Sequence, residues 1–305
     1  MSKEEYMEVP SSVLKRRWPV AELMLLAVAI FWGTSYGLTK EMLVFISVLG
    51  FLFVRFTLTF LALLPMFIRD YRRGLANDWQ AAIPTGIILL AIFICETYGV
   101  FHTSAANAAF LISLCIIITP FAEWLVFKQR PSERLWVMAG LSVVGVALLT
   151  VPALEEIQFN RGDAFILCAA LLRAAMVVMT KRVLKGKQLS ALAITSIQSG
   201  VVMVGICLLL LATGFEWSQL LVSNSSFWMI SLYLVAFCTI FAFYAQNYGV
   251  KHSTPSKVSL LMGSEPVFGA LFAVAWLGEA LTLWQWAGGA LIVAATCYVA
   301  FERTE

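Results

Sequence analysis

The chain has 305 residues and a formal net charge of +3; 61% of its residues are hydrophobic, 13% are charged, and its mean hydropathy is +0.86. A soluble globular domain carries about 25% charged residues. The composition therefore excludes a soluble globule and predicts an integral membrane protein, for which no nucleic-acid partner is expected.

Helix-length apolar runs indicate an all-α membrane protein and exclude a β-barrel. Crossing a hydrocarbon core of about 30 Å requires about 20 residues of helix, because a helix satisfies its own backbone hydrogen bonds. In chain order, the sequence predicts ten spans, at residues 20–39, 43–68, 80–101, 104–127, 134–152, 162–180, 190–213, 227–249, 254–277 and 283–301. The loops between them are too short to fold as domains, so any function must lie among the helices.

The first span follows a basic stretch that resembles the start of a secretory signal. Its apolar run is too long for a signal core and no clear small-residue cleavage site accompanies it, so we expect the segment to be retained. The six cysteines all fall within predicted spans and form no closely spaced pairs. They indicate neither a disulfide framework nor a metal site, and no cofactor is predicted.

One five-residue pattern occurs twice in the chain, 150 residues apart. Tyr98-Gly99-Val100-Phe101-His102 returns as Tyr248-Gly249-Val250-Lys251-His252, and each copy ends one apolar span. A second, noisier offset of 141 pairs Lys40 with Lys181. Two equivalent halves in an apolar chain are a recurrent design of secondary transporters.

The two halves are predicted to be inverted repeats with five spans each. The first unit is residues 1–152 and the second is residues 153–305. Because five is an odd number, the second unit must enter the membrane from the opposite side. A two-fold axis in the membrane plane relates such repeats, and the substrate site then lies near the midplane between them.

Positive charge accumulates on one side of this topology. The other side keeps Lys40 and Arg161, so the positive-inside rule places both termini in the cytoplasm, as expected for a multi-pass protein of the cytoplasmic (inner) membrane. The predicted cytoplasmic cations are Lys3, Lys15, Arg16, Arg17, Arg69, Arg72, Arg73, Lys128, Arg130, Arg134, Lys181, Arg182, Lys185, Lys187, Lys251 and Arg303. The loop Gly278-Glu279, on the opposite side, carries only an acid.

Several short motifs together resemble the EamA family of the drug/metabolite transporter superfamily. They are Phe31-Trp32-Gly33-Thr34-Ser35, Arg55-Phe56, Tyr98-Gly99-Val100, Thr103 to Leu111, Ser264 to Leu271, Leu277-Gly278-Glu279 and Gln285-Trp286-Ala287-Gly288. The resemblance covers nearly the whole chain. It implies ten helices in inverted five-helix repeats, a central cavity, and export or exchange of small metabolites such as amino acids. One departure is Arg173, which stands where the repeat suggests an aromatic residue like Trp32.

Four charged residues stand out within the predicted spans, because a charge at the bilayer centre costs about 2.5 to 3.5 kcal/mol even on the lenient insertion scale. They are Arg55, Glu96, Arg173 and Glu265. One hypothesis makes them the polar lining of a cavity, where Arg binds a carboxylate and Glu faces an ammonium or relays a proton. The other makes them ion pairs that join the two halves. Pro266 predicts a local helix break beside Glu265, which frees backbone groups suited to a cavity.

Uncharged polar and aromatic residues complete the candidate site. Trp32 and Tyr36 are four residues apart, so they share a helix face and could stack on a planar substrate or simply pack between helices. Gln246 is the repeat counterpart of Glu96. Asn107 and Asn247 either donate hydrogen bonds in the cavity or tie helices together.

These features favour a secondary carrier that alternates access around a midplane cavity and is not an enzyme. No phosphate-binding glycine loop with Lys-Ser/Thr is present. The driving force is either proton exchange through Glu96 or Glu265, or the substrate gradient. The alternatives are a drug, organic-cation or lipid carrier of the same fold and a membrane-embedded lipid-modifying enzyme, although no metal-binding Asp cluster appears. The expected partners are a small-molecule substrate and membrane lipid, and the protein is expected to be a monomer or homodimer.

Overall fold

The computed structural model describes residues 20–154, 160–272, 274–275 and 280–301. Within these ranges it contains α-helices, two short 3₁₀ helices and π-helical turns, and no named strand. The predicted terminal cations Lys3, Lys15, Arg16, Arg17 and Arg303 lie outside the described residues, as does the predicted loop Leu277-Gly278-Glu279. The expectation of a retained N-terminal segment also concerns residues that the structure describes only from position 20.

The helices follow the predicted order closely. They are α1 (Val20–Met42), α2 (Val48–Arg72), α3 (Ile83–His102), α4 (Ala105–Ser113), α5 (Cys115–Phe127), α6 (Glu133–Leu154), α7 (Arg161–Leu184), α8 (Ala191–Ala212), α9 (Ser225–Val235), α10 (Ala242–His252), α11 (Pro255–Met262), α12 (Glu265–Phe272) and α13 (Leu283–Phe301). Among the described residues, nine helical spans are long and apolar enough to cross a membrane.

The predicted span 254–277 is broken in the structure. Helix α11 ends at Met262 and α12 begins at Glu265, directly before Pro266. Proline lacks the N–H that would continue the helix, so the break lies where the sequence predicted it. A second break, at Leu114 between α4 and α5, was not predicted, because no proline lies directly beside it.

A π-helical turn, Ala236–Phe241, joins α9 to α10 within one continuous membrane span. Such a turn pairs residues five apart instead of four; it is rare and frequently occurs at functional sites. The sequence predicted a regular helix over residues 227–249. Here the structure adds a feature that hydropathy does not reveal.

Glycines allow two pairs of helices to approach at backbone distance. Gly145 on α6 and Gly288 on α13 face each other, and a methyl group on either would collide with the other helix. Gly33 on α1 meets Gly269 on α12 in the same way. Such contacts are typical of membrane helix packing, in which small residues let van der Waals contact replace the hydrophobic effect.

The loop after α2 and the loop after α7 are joined to each other. Ala76 and Leu189 form an isolated antiparallel bridge. Asp78 directly precedes the short 3₁₀ helix Trp79–Ala82, but its side chain makes no capping bond. It accepts from the backbone N–H of Gln188 at 3.0 Å and from Lys187 Nζ at 3.3 Å. These two interactions, the backbone bond first, lower the pKa of Asp78.

Two cysteines that are far apart in the sequence meet between α3 and α7. The Sγ atoms of Cys95 and Cys168 lie 3.8 Å apart, and both thiols are free. The expectation that no cysteines form close pairs therefore holds along the sequence but is wrong in space. Among the described residues, no group of three or more His, Cys, Asp or Glu side chains could hold a metal ion.

Candidate functional site

One cavity lies among α1, α2, α3, α5, α7, α10 and α11, with an empty volume of about 810 Å³ that includes the part open to solvent. All seven helices contribute side chains to its wall. Six of the nine predicted site residues line it: Trp32, Tyr36, Arg55, Glu96, Arg173 and Gln246. The repeat counterparts Glu96 and Gln246 therefore face the same space from α3 and α10.

Arg173 on α7 lies between two carboxylates. Its Nε atom is 3.3 Å from Glu96 Oε2, and its Nη1 atom is 3.2 Å from Glu265 Oε1. The side chains of Arg173 and Glu96 are about 15% exposed, whereas that of Glu265 is 2% exposed. The Arg173 side chain thus points into the protein, and the cluster joins α3, α7 and α12.

Glu265 is buried at the break between α11 and α12. Its Oε1 atom accepts hydrogen bonds from Tyr36 Oη at 3.1 Å and from Arg173 Nη1. Its Oε2 atom is buried and has no hydrogen-bond partner within the described part of the chain. Glu265 does not itself line the cavity, but both residues that bind its Oε1 atom do.

Arg55 on α2 is also buried, with 5% of its surface exposed, but its partners are uncharged. Its Nε atom donates to Thr239 Oγ1 at 2.8 Å, and its Nη2 atom donates to the Cys238 carbonyl at 3.4 Å. The guanidinium carbon lies 5.0 Å from the centre of the Phe93 ring, within the range of a cation–π contact. Among the described residues, no carboxylate oxygen lies within 4.0 Å of Arg55.

Trp32 connects the two cationic groups. Its indole ring lies beneath Arg173, with the guanidinium carbon 4.4 Å from the ring centre. Its Nε1 atom donates to the Cys238 carbonyl at 2.9 Å, the same carbonyl that Arg55 approaches. Trp32 and Arg173, which are repeat counterparts at the offset of 141, therefore stack on each other.

The two predicted asparagines lie outside the cavity lining. Asn247 is fully buried, and its Nδ2 atom donates to Thr195 and Gln198 on α8, so it ties α10 to that helix. Asn107 lies in the first turn of α4, where its backbone N–H is capped by Ser104. Of the two roles that the sequence left open for Asn247, the contacts favour the tie between helices.

Several lining residues were not selected from the sequence. Ser35 and Thr39 follow Trp32 and Tyr36 on the same face of α1, and their three- and four-residue spacing is a signal that could have identified them. Thr97 and Ser259 are polar as well. The apolar lining residues Phe93, Met176 and Phe243 carried no signal, because an aromatic or Met residue in a membrane helix usually packs against a neighbour.

Comparison with known proteins gives consistent matches over the whole chain. A model of the EamA-like transporter family matches twice, at residues 19–151 and 160–301. An uncharacterized transporter of Archaeoglobus fulgidus is 28% identical over 282 residues, covering 92% of this chain and 86% of the relative. The uncharacterized transporter YyaM of Bacillus subtilis is 22% identical, covering 89% and 90%. One crystal structure has the same fold, with a TM-score of 0.72 at 18% identity, covering 92% of this chain and 96% of the other.

Proposed function

Because this chain belongs to the EamA-like transporter family and is a multi-pass membrane protein, we propose that it is a secondary transporter of small zwitterionic metabolites such as amino acids. It would export or exchange them across the cytoplasmic membrane by alternating access, with the cavity described above as the binding site. The observation that carries this proposal is the distribution of charge around the cavity.

The two arginines that line the cavity differ in their carboxylate partners. In the described part of the chain, Arg55 contacts only neutral groups, so its charge is available to an anionic ligand. Arg173 is shared by Glu96 and Glu265, which leaves one formal negative charge in excess around it. A buried unpaired charge is costly unless a ligand neutralises it. A molecule with separate carboxylate and ammonium groups complements both ends of this distribution.

A binding experiment with three related compounds tests the proposed charge recognition. L-Leucine carries both groups, 4-methylpentanoate carries the carboxylate alone, and isoamylamine carries the ammonium alone. A ligand that binds the folded state raises the unfolding midpoint. We expect leucine to raise the midpoint of the purified wild-type protein most, and Arg55→Gln to lose that increase while any effect of isoamylamine is retained.

Arg69→Gln is the matched control for this experiment. Arg69 lies on the same helix, but its side chain is 56% exposed and is not among those that line the cavity. Its variant should behave as the wild type with all three compounds. Stabilisation by isoamylamine alone would favour an organic-cation carrier, and no stabilisation by any of the three would contradict the proposal for zwitterions.

The ten-helix inverted repeat is proposed as the architecture behind alternating access, with units 1–152 and 153–305. Contacts of the repeated glycines support it. Gly99 at the end of α3 packs on Ile166 of α7, and Gly249 at the end of α10 packs on Leu25 of α1. Leu25 and Ile166 are themselves separated by the offset of 141. A two-fold relation requires such paired contacts.

Two lysines make a second pair of matching contacts. Lys40 Nζ donates to the carbonyl of Thr103 at 3.2 Å, and Lys181 Nζ donates to the carbonyl of Ser253 at 2.9 Å. Lys40 and Lys181 differ by 141 positions, and Thr103 and Ser253 differ by 150. Each lysine therefore caps the end of a corresponding helix, and the proposed inversion places the two caps at opposite membrane faces.

The proposed orientation has a direct test by cysteine labelling. In a chain whose native cysteines are replaced by alanine, Arg161→Cys should react with a membrane-impermeant maleimide in intact cells. Arg130→Cys should react only after the cells are permeabilised, because its loop is predicted to be cytoplasmic. Labelling in the reverse order would contradict the orientation, and labelling of both from one side would contradict the inverted arrangement.

The proposed coupling is proton exchange through Glu96 or Glu265, or transport down the substrate gradient alone. Glu265 supports the first option, since its Oε2 atom is buried without a partner. Leucine uptake by proteoliposomes with and without a pH gradient distinguishes the two. Uptake that is indifferent to the gradient contradicts proton coupling.

A further inference from the structure

The π-helical turn Ala236–Phe241 contacts Arg55 through a side chain and a backbone carbonyl. Thr239 Oγ1 donates to the carbonyl of Leu234, five residues earlier, at 2.8 Å. A hydroxyl has a single donor, so the Thr239 oxygen can only accept from Arg55 Nε, which lies 2.8 Å away. The hydroxyl is therefore fixed in the orientation that a guanidinium requires.

The backbone of the same turn supplies a second acceptor. The Cys238 carbonyl accepts from Trp32 Nε1 at 2.9 Å and from Arg55 Nη2 at 3.4 Å. In a regular α-helix each carbonyl is occupied by the N–H four residues later. A π turn shifts this register to residues five apart, and in this turn the Cys238 carbonyl is approached by side chains of α1 and α2.

The turn is not required by the architecture of the chain. The segment 150 residues earlier, residues 86–91, lies within the continuous helix α3 and has no π register. Arg55 has five N–H donors. Its Nε–H donates to Thr239 Oγ1, and one N–H of Nη2 donates to the Cys238 carbonyl. The remaining donors belong to a side chain that lines the cavity and has no carboxylate within 4.0 Å in the described ranges.

We propose that Thr239, held by the π-helical turn, is a positioning residue that orients the Arg55 guanidinium toward the carboxylate of the substrate. This rests on the proposed function, because it assigns the substrate anion to Arg55. Thr239 acts through Arg55 and does not itself line the cavity. Its removal should therefore alter the recognition of carboxylates and leave the recognition of amines unchanged.

The test compares Thr239→Val with Thr239→Ser in the purified full-length protein. Valine keeps the shape and loses the hydroxyl, whereas serine keeps the hydroxyl. A hydrogen bond to a charged group is strong enough to change affinity by about tenfold or more. We expect Thr239→Val to weaken L-leucine binding about tenfold and isoamylamine binding by less than about twofold, and Thr239→Ser to retain leucine binding.

A matched control separates this role from a general loss of packing. Thr59 is also fully buried, but its hydroxyl donates to the backbone carbonyl of Arg55 within α2 and does not contact the guanidinium. Thr59→Val should leave leucine binding within about twofold of the wild type. In the Arg55→Gln background, Thr239→Val should have no further effect on leucine binding.

Two outcomes overturn the inference while leaving the proposed function intact. One is that Thr239→Val binds leucine as the wild type does while Arg55→Gln does not. The other is that Thr239→Val weakens the binding of leucine and of isoamylamine equally.

If the wild type binds neither compound nor 4-methylpentanoate, the proposed substrate class is wrong. The unfolding midpoints then test whether Thr239 holds the Arg55 guanidinium. Non-additive shifts of Thr239→Val and Arg55→Gln support this coupling, and additive shifts refute it.

Discussion

Replacing Arg173 with leucine is expected to lower the free energy of unfolding by about 3 to 5 kcal/mol, the cost of breaking a buried ion pair by removing one partner. Glu96 and Glu265 would then lose the cation that they share. Trp32 would lose the guanidinium that stacks on its ring. The thermal unfolding midpoint of the purified variant measures the effect.

A triple variant identifies the cause of that loss. In Arg173→Leu, Glu96→Gln, Glu265→Gln the two acids are replaced by neutral amides, so neither position keeps a carboxylate without its cation and most of the stability should return. Transport by the triple variant should be abolished, because the proposed negative end of the site is gone. If the triple variant is as unstable as Arg173→Leu alone, the loss comes from packing rather than from charge.

The prediction of the fold succeeded where the sequence determines structure locally. Apolar runs of about 20 residues can satisfy their backbone only as helices, and nine predicted spans correspond to nine apolar helices among the described residues. Pro266 predicted the break before Glu265, because proline has no backbone N–H to donate to a helical hydrogen bond. The break at Leu114 carried no such residue, so it could not be predicted.

The charged residues of the candidate site could be predicted from the sequence, but the contacts between them could not, because they join residues that are far apart in the chain. Arg55, Glu96, Arg173 and Glu265 could be selected because each charge is costly inside a membrane. Which acids share Arg173 depends on how α3, α7 and α12 pack, and no local pattern encodes that. The π-helical turn that contacts Arg55 could not be predicted for a different reason. The sequence Ala236–Phe241 is apolar apart from Thr239 and gives no sign of a π register.

Gly33→Ala is expected to disrupt the contact between α1 and α12 and, with it, the site. An added methyl group would lie 2.7 Å from the backbone nitrogen of Gly269 and 2.8 Å from the carbonyl oxygen of Glu265. Both are backbone atoms, so α12 must move as a unit. Overpacking of this kind costs about 1 to 3 kcal/mol. Displacement of Glu265 should also weaken its bonds to Tyr36 and Arg173 and reduce leucine binding.

Gly37→Ala, one turn later on the same helix, is the control. A methyl group there meets nothing within 4 Å. Since alanine is favoured over glycine in a helix interior by about 0.5 to 1 kcal/mol, Gly37→Ala should keep or slightly raise the unfolding midpoint and leave leucine binding unchanged. Equal behaviour of the two variants would show that α1 and α12 can separate freely. Opposite behaviour would mean that the position of Glu265, and so the charge of the site, depends on one backbone contact between the two halves of the chain.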